Sequence, residues 1–218
     1  MDLLAMFLEY KNVFLGAVLL TVGLSFASVV IGTVLGFLVS LMRLSRAKIL
    51  NAVAAVYIEV IRGTPLLVQL FVIYLGSYSL FRLELPKLFM GLLAVSINSG
   101  AYISEIIRSG IQSVDNGQME AGRSLGMSKS STMRLIIVPQ AVKNILPALC
   151  GEFVAVIKET SIVSYIGIQD LFYSYKIVGA ATYKQFDAML VVAVLYLALN
   201  IVLTYLIGKF ERRLAQSD

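Results

Sequence analysis

The sequence has 218 residues, of which 59% are hydrophobic and only 14% are charged, and this composition excludes an ordinary soluble protein. It contains no histidine and a single cysteine, Cys150, which excludes disulfides and thiolate metal sites and removes the commonest general base. We therefore expect no catalytic residue and no bound metal. The formal net charge of +5 comes from short basic clusters between long apolar runs, which is typical of a membrane protein and does not indicate nucleic-acid binding.

Five apolar segments are long enough to cross a bilayer, which takes about 20 residues in a helix. In chain order, we predict spans at about 13–42, 64–81, 86–111, 139–158 and 186–208. Pro65 divides the second apolar run into an amphipathic lead-in and a spanning half, and residues 160–185 predict a short re-entrant or surface helix. The sequence thus predicts an all-α integral membrane protein with one transmembrane domain over residues 1–218.

Basic residues mark the predicted inner ends of these spans. They collect in three regions: Arg43, Arg46 and Lys48; Arg108, Arg123, Lys129 and Arg134; and Lys209, Arg212 and Arg213. By the positive-inside rule, all three regions face the cytoplasm. Five spans then place the N-terminus outside and the C-terminus in the cytoplasm.

Polar residues inside the predicted spans are functional candidates, because an ionisable group in the bilayer costs a few kcal/mol by insertion scales. On span three, Asn98, Tyr102 and Glu105 follow i, i+4, i+7 spacing and share one helical face. On span four, Glu152 and Glu159 lie about 10 Å apart along the axis. Two polar faces in apolar helices are what a path for a polar substrate needs, so these five residues are the predicted substrate contacts.

Structural roles are the alternative for several of these positions. Glu105 has Arg108 three residues later, and Glu59 has the same relation to Arg62, so both pairs are predicted to form local ion pairs. For Glu105 this stands as the alternative to a substrate contact. Asn98 has a second interpretation as well, as a hydrogen bond between two helices.

The segment between spans three and four predicts a short cytoplasmic helix at about 116–126. Asp115 suits its N-cap, and Gly126 suits the left-handed position after its end. The residues that make a recognisable pattern here are Glu120-Ala121-Gly122, Gly126, Ile136 and Val138-Pro139. This pattern resembles the signature of the permeases of bacterial ABC importers: Glu-Ala-Ala, three residues, Gly, nine residues, Ile-x-Leu-Pro. Gly122 replaces the second alanine and Val138 replaces the leucine.

Three further stretches are similar to the polar amino-acid branch of that family, which includes histidine, glutamine and arginine permeases. They are residues 59–69, 101–111 and 158–161. The resemblance covers nearly the whole chain in the family's order. It implies a type I ABC importer-like permease fold in the bacterial plasma (inner) membrane, crossed several times.

The resemblance also implies partners. The helix at 116–126 would be the coupling helix that docks into a separate ATPase, through the residues Glu120, Ala121, Gly122, Ser124, Leu125 and Gly126. The chain has no phosphate-binding loop of the Gly-x4-Gly-Lys-Ser/Thr type, so we expect two ABC ATPase subunits to bind ATP and Mg and to hydrolyse the ATP. This chain would be a transport subunit without cofactor or enzyme activity, paired with a second permease copy, most simply as a homodimer, and with an extracellular or periplasmic solute-binding protein.

Glu152 suggests the substrate. It lies near mid-span without a basic residue within one turn, and asparagine is the usual residue at this place in the branch. A carboxylate here predicts a cationic amino acid, namely arginine, lysine or histidine, unless another span neutralises it. The alternative function is a passive channel or membrane interaction subunit that is not coupled to ATP.

Overall fold

The computed structural model describes residues 2–215, with side chains for residues 2–209; Arg212 and Arg213 of the third basic cluster have side chains outside the described residues. All regular elements in this part of the chain are helical. The α-helices are α1 (Leu3–Glu9), α2 (Lys11–Leu44), α3 (Lys48–Gly63), α4 (Leu66–Phe81), α5 (Lys87–Gln112), α6 (Asn116–Ser124), α7 (Lys129–Thr132), α8 (Val138–Glu159), α9 (Leu171–Thr182) and α10 (Gln185–Ala215). A π-helical turn (Met133–Ile137) precedes α8, and a 3-10 helix (Thr160–Ile166) follows it.

Each predicted span has a corresponding helix, in the order α2, α4, α5, α8 and α10. By length and composition, α2, α5 and the described side-chain part of α10 are able to cross a membrane, and α3 with α4 adds a fourth span if the pair is counted as one. Helix α8 is less apolar because it carries polar residues such as Lys143, Asn144 and Glu152. A crossing by α8, and with it the count of five, stays a prediction.

Pro65 breaks the second apolar run sharply, as its position predicts. Helices α3 and α4 meet at 107°. Thr64 is extended, with φ −120° and ψ 145°, because the ring of a following proline disfavours the helical conformation. We call residues 63–65 the elbow. The amphipathic lead-in of the sequence is therefore a separate helix, α3.

Helices α2 and α5 form the centre of the bundle. Their backbones approach closely at Gly36, where a Cβ would lie 2.8 Å from the Gly100 carbonyl oxygen. Small residues at such a crossing allow tight packing without a hydrophobic driving force between the helices. In the most apolar window of each helix, 67% of residues are buried for α5 and 11% for α10, so α5 is central and α10 is peripheral.

Apolar side chains form three clusters around this centre. The first joins α1, α2, α9 and α10 through residues such as Phe14 and Val192. The second joins α2, α4, α5 and α8 around Leu70 and Val156, and the third joins the end of α5 to the start of α8 through Ile137. The predicted helical segment at 160–185 thus has two pieces, the 3-10 helix and α9, both packed on these clusters.

Asp170 caps α9 from a fully buried position. Its carboxylate accepts hydrogen bonds from the backbone N–H groups of Phe172 at 3.2 Å and Tyr173 at 2.9 Å, and the Tyr196 hydroxyl donates at 3.4 Å. Burial away from water raises the pKa of Asp170 to about 6, in spite of these donors.

Candidate functional site

Glu152 projects from α8 toward α5. Its carboxylate accepts a hydrogen bond from the Ser99 hydroxyl at 3.0 Å, and the side chain is partly buried between the two helices. Among the residues that the structure describes, no lysine or arginine comes within ion-pair distance of it. An ionised carboxylate has about four acceptor sites, so a single neutral hydroxyl leaves most of its capacity for a ligand.

Glu105 is in the opposite situation, because its carboxylate forms a salt bridge with Arg108. The guanidinium donates from Nε at 3.0 and 3.1 Å and from Nη2 at 2.7 Å, and Nη1 donates to Gln112 at 2.6 Å. This is the local ion pair that the spacing predicts. A substrate contact through Glu105 would have to displace the arginine.

Tyr102 lies against the end of α3. The Arg62 guanidinium lies over its ring, 5.1 Å from the centroid, in a cation–π contact. The predicted Glu59–Arg62 ion pair is wrong, since no salt bridge joins these two described residues. The elbow brings the end of α3 against α5, where the ring of Tyr102 offers Arg62 another partner.

Asn98 is 96% buried and faces α4. Its side-chain amide donates to the Gln69 Oε1 atom at 3.1 Å, and Gln69 in turn donates to the carbonyls of Ile61 in α3 and Thr64 in the elbow. Asn98 therefore links α5 to α4 through a hydrogen bond, as its second interpretation holds. Its role as a substrate contact remains a prediction.

The predicted substrate residues do not converge on one cluster. Asn98 contacts Gln69 of α4, Tyr102 contacts Arg62 of α3, and Glu105 contacts Arg108 of its own helix. Glu152 instead meets α5 through Ser99, and Glu159 is exposed at the end of α8.

Two residues that contribute to this region were missed by the sequence reasoning, Ser99 and Gln69. The signal for Gln69 was a lone amide in an apolar helix; Ser99 had no signal beyond its place next to Asn98. No group of three or more histidine, cysteine, aspartate or glutamate side chains that could hold a metal occurs in the described part of the chain.

Helix α6 is the predicted coupling helix, and both of its ends are capped by the residues that the sequence predicts. The Asp115 carboxylate accepts from the Gly117 N–H at 2.6 Å. At the other end, Gly126 has φ +84°, its N–H donates to the Arg123 carbonyl, and the Met127 N–H donates to the Gly122 carbonyl. These two bonds form a Schellman motif, which requires a left-handed residue at position 126.

The two small residues of α6 face different ways. Ala121 is exposed, whereas Gly122 is buried against α7, where a Cβ would lie 2.5 Å from the Thr132 Cγ2 atom. Gly122 is therefore needed for packing within the chain and does not itself offer a surface to a partner. The exposed face contains Glu120, Ala121, Ser124 and Leu125, and Leu125 exposes 83% of its surface although it is apolar.

Comparison with known proteins gives consistent results. The crystal structure of an amino acid ABC transporter with histidines is 46% identical, covers 98% of this chain and 99% of its own, and has a TM-score of 0.94. The arginine transport system permease protein of Bacillus subtilis (strain 168) is 36% identical over 199 residues, 91% of each chain. A relative in Rickettsia bellii (strain RML369-C), named for glutamine transport, is 39% identical over the same lengths.

The profile of the family described as binding-protein-dependent transport system inner membrane component matches residues 28–216, which is most of the chain. The all-helical fold matches that of an ABC transporter permease along nearly its whole length. The chain therefore belongs to the binding-protein-dependent transport system inner membrane components, and its relatives in that family are permeases of amino-acid transport systems.

Proposed function

We propose that this chain is the permease of an ATP-driven importer for cationic amino acids, namely arginine, lysine or histidine. The observation that carries the proposal is the Glu152 carboxylate, which lies between α5 and α8 with one neutral hydroxyl as its partner among the described residues. A charge in such a place is costly unless something neutralises it. The ammonium, guanidinium or imidazolium of a substrate would do so while it passes.

The relatives support an amino-acid substrate, but their names differ in which amino acid they carry, so the type of substrate side chain is inferred from Glu152. One relative is named for arginine and another for glutamine, and the similar solved structure is titled with histidines. Among these, the positively charged side chains match an unpaired carboxylate best. Glu159, exposed one further stretch along α8, would extend the attraction for a cation toward the helix end.

Transport would follow alternating access between outward and inward states. Two ABC ATPase subunits would bind ATP with Mg and close against the exposed face of α6, a second permease copy would complete the path, and a solute-binding protein would deliver substrate outside. The capped ends of α6 suit this role because a helix fixed at both ends carries displacement into α5 and α8. Glu120, Ala121, Ser124 and Leu125 would contact the ATPase directly, while Gly122 and Gly126 would keep the helix in shape.

Reconstitution tests the function. The chain is purified with its ATPase and binding protein, placed in proteoliposomes, and supplied with ATP and radiolabelled arginine, lysine, histidine, glutamine or glutamate. We expect uptake that requires ATP and favours the cationic amino acids. Uptake of arginine without ATP would support a channel, and equal uptake of glutamine and arginine would contradict the proposed selectivity.

Coupling is tested at Gly126. Gly126→Leu places a branched side chain at φ +84° and should uncouple ATP hydrolysis from uptake, whereas Gly126→Asn, which tolerates the left-handed conformation, should stay close to the wild type. Glu120→Lys, with Glu120→Gln as its control, tests the charge of the docking face. Normal uptake and normal stimulation of ATP hydrolysis in Gly126→Leu and Glu120→Lys would remove α6 from the mechanism.

Five spans with the N-terminus outside and the C-terminus in the cytoplasm complete the proposal. Ser124→Cys and Tyr183→Cys, each in a Cys150→Ser background, place a thiol at exposed positions on opposite predicted sides. A maleimide that does not cross membranes should label position 183 in intact cells, and position 124 only after the membrane is opened. Labelling of position 124 from outside would refute this topology.

A further inference from the structure

The elbow between α3 and α4 leaves backbone groups that need partners. In a continuous helix the Ile61 carbonyl would accept from the N–H of residue 65, but that residue is proline and has no N–H. A carbonyl that loses its helical donor and is shielded from water is costly, so a broken helix needs another group to satisfy the freed backbone.

Gln69, one turn into α4, supplies the missing donor. Its Nε2 atom lies 2.7 Å from the Ile61 carbonyl oxygen, 3.0 Å from the Thr64 carbonyl oxygen and 3.0 Å from the Thr64 hydroxyl. Thr64 itself donates to the Val60 carbonyl at 2.8 Å. Gln69 is 92% buried, whereas Thr64 is exposed, so the amide reaches the elbow from the packed side of α4.

The acceptor end of the same amide is used as well. Gln69 Oε1 accepts from the Asn98 amide at 3.1 Å, so only one orientation of the Gln69 amide satisfies both ends. The elbow is thereby attached to α5 by a hydrogen bond between two residues that are each more than nine-tenths buried.

Three consecutive residues of α5 connect this attachment to the candidate substrate site. The Ile97 carbonyl accepts from the Tyr57 hydroxyl of α3 at 2.6 Å, Asn98 holds Gln69 of α4, and Ser99 donates to Glu152 of α8. The Asn98 and Ser99 side chains point about 100° apart, and Ile97 takes part through its backbone carbonyl, so one short stretch of α5 meets three different neighbours. The elbow and Glu152 are thus connected to the same short stretch of α5.

We infer that Gln69 is a positioning residue for transport. It replaces the donor that Pro65 removes and holds the elbow to α5 beside the Ser99–Glu152 contact. The broken helix pair and the substrate site therefore move together. Gln69 does not touch substrate in this scheme. Its loss should reduce the conversion of ATP hydrolysis into transport more than it reduces substrate affinity. The inference rests on the proposed function, because it needs a transport cycle to act on.

The test uses the complete transporter in proteoliposomes, with amino acid imported per ATP hydrolysed and apparent KM for import measured together. Gln69→Leu keeps the size of the side chain but removes its donors and acceptor, and we expect import per ATP to fall by about fivefold or more, the lower end of usual coupling between sites. The KM should change by less than that. Ser96→Ala is the control, because it also removes a hydrogen bond of a buried side chain. The Ser96 hydroxyl lies on α5 and donates only to the Leu92 carbonyl of that same helix, so its loss separates no two helices.

Gln69→Glu is a second variant, which keeps the inference testable if Gln69→Leu does not fold. It keeps the length and an acceptor for Asn98, and a protonated carboxyl retains one donor for the elbow, so import per ATP should lie between the wild type and Gln69→Leu. Unchanged import per ATP in assembled Gln69→Leu complexes, or failure of both Gln69 variants to assemble while Ser96→Ala assembles, would assign Gln69 a folding role only and overturn the inference. Wild-type complexes without ATP-driven uptake would instead refute the proposed function.

Discussion

Two carboxylates on neighbouring helices, Glu105 on α5 and Glu152 on α8, have opposite surroundings. Glu105 is held by a guanidinium three residues along its own helix, with contacts at 2.7 to 3.1 Å. Glu152 has one hydrogen bond within the described part of the chain, from Ser99 on another helix. The first charge is neutralised within the chain, whereas the second is available to a ligand or to a second subunit.

This difference shows why an ionisable residue in an apolar helix does not identify a binding site by itself. At Glu105 the cost of burying a charge is offset by an arginine of the same helix. At Glu152 the described contacts supply no cation, and the proposed cationic substrate would be a partner that is present only during transport. Mutations at the two carboxylates should therefore differ in size and in their dependence on substrate charge.

The largest effect should come from Glu152→Gln, which keeps the shape and removes the charge. A charge-assisted hydrogen bond contributes about 1.5 to 3 kcal/mol net, so the apparent affinity for arginine should fall by roughly tenfold to a hundredfold. Affinity for glutamine should fall less or rise. Isothermal titration on the purified membrane complex measures both without the external binding protein, which imposes its own selectivity.

The outcomes of this experiment are distinct. Equal loss for arginine and glutamine would indicate that Glu152 has a structural role. Unchanged arginine affinity would remove the main support for a cationic substrate. Glu152 would then differ from Glu105 only in its role in the dimer or in the fold.

The contrast between Glu105 and Glu152 is only partly predictable from the sequence. The Glu105–Arg108 pair follows from i, i+3 spacing, which brings two side chains together on any helix. The Ser99–Glu152 and Asn98–Gln69 contacts join residues 53 and 29 positions apart, and their existence depends on how whole helices pack. Spacing also predicted a Glu59–Arg62 pair, where the bend at the elbow gave Arg62 an aromatic partner instead.

The fold shows the same division between local and long-range information. Apolar runs and prolines predicted the ranges of the long helices and the break at Pro65, since these depend on neighbouring residues. The 107° between α3 and α4 and the burial of Gly122 against Thr132 depend on contacts made after the chain folds. Gly122 was expected to face a partner, and only the position of α7 shows that it faces its own chain.

A smaller effect is expected for Ser99→Ala, which removes the hydroxyl that orients Glu152. One hydrogen bond to a charged group contributes about 1.5 to 3 kcal/mol, but the freed carboxylate keeps its charge and gains freedom to follow the substrate. We expect arginine affinity to fall by about twofold to tenfold, with little change for glutamine. Ser104→Ala, whose hydroxyl bonds only to its own helix, is the control; the same loss in both variants would mean that the Ser99 contact is not specific.

Glu105→Gln should change substrate affinity by less than about threefold, because Arg108 already occupies the carboxylate and the residue keeps its shape. The pair is partly exposed, at 22% for the glutamate side chain, and such pairs contribute about 1 kcal/mol or less to stability. Arginine and glutamine affinities measured beside those of Glu152→Gln check this directly. A selective tenfold loss of arginine binding would place Glu105 in the substrate path after all.

A third carboxylate, Asp170, sharpens the comparison because it lies outside the predicted spans and is buried among donors of its own chain. Its pKa of about 6 in the folded protein exceeds the usual aspartate value of about 3.9, so folding favours the protonated form. The stability contributed by Asp170 is therefore fully present below about pH 4 and is lost as the pH rises toward about 6 and above.

Asp170→Asn cannot titrate at this position. The melting temperature of the variant minus that of the wild type, both in detergent, should therefore be a few degrees higher at pH 7.5 than at pH 5. Asp187→Asn, which removes a partly exposed carboxylate beside Lys184, is the control variant. A pH-independent difference for Asp170→Asn would mean that its backbone donors and Tyr196 compensate the buried charge fully, as Arg108 does for Glu105.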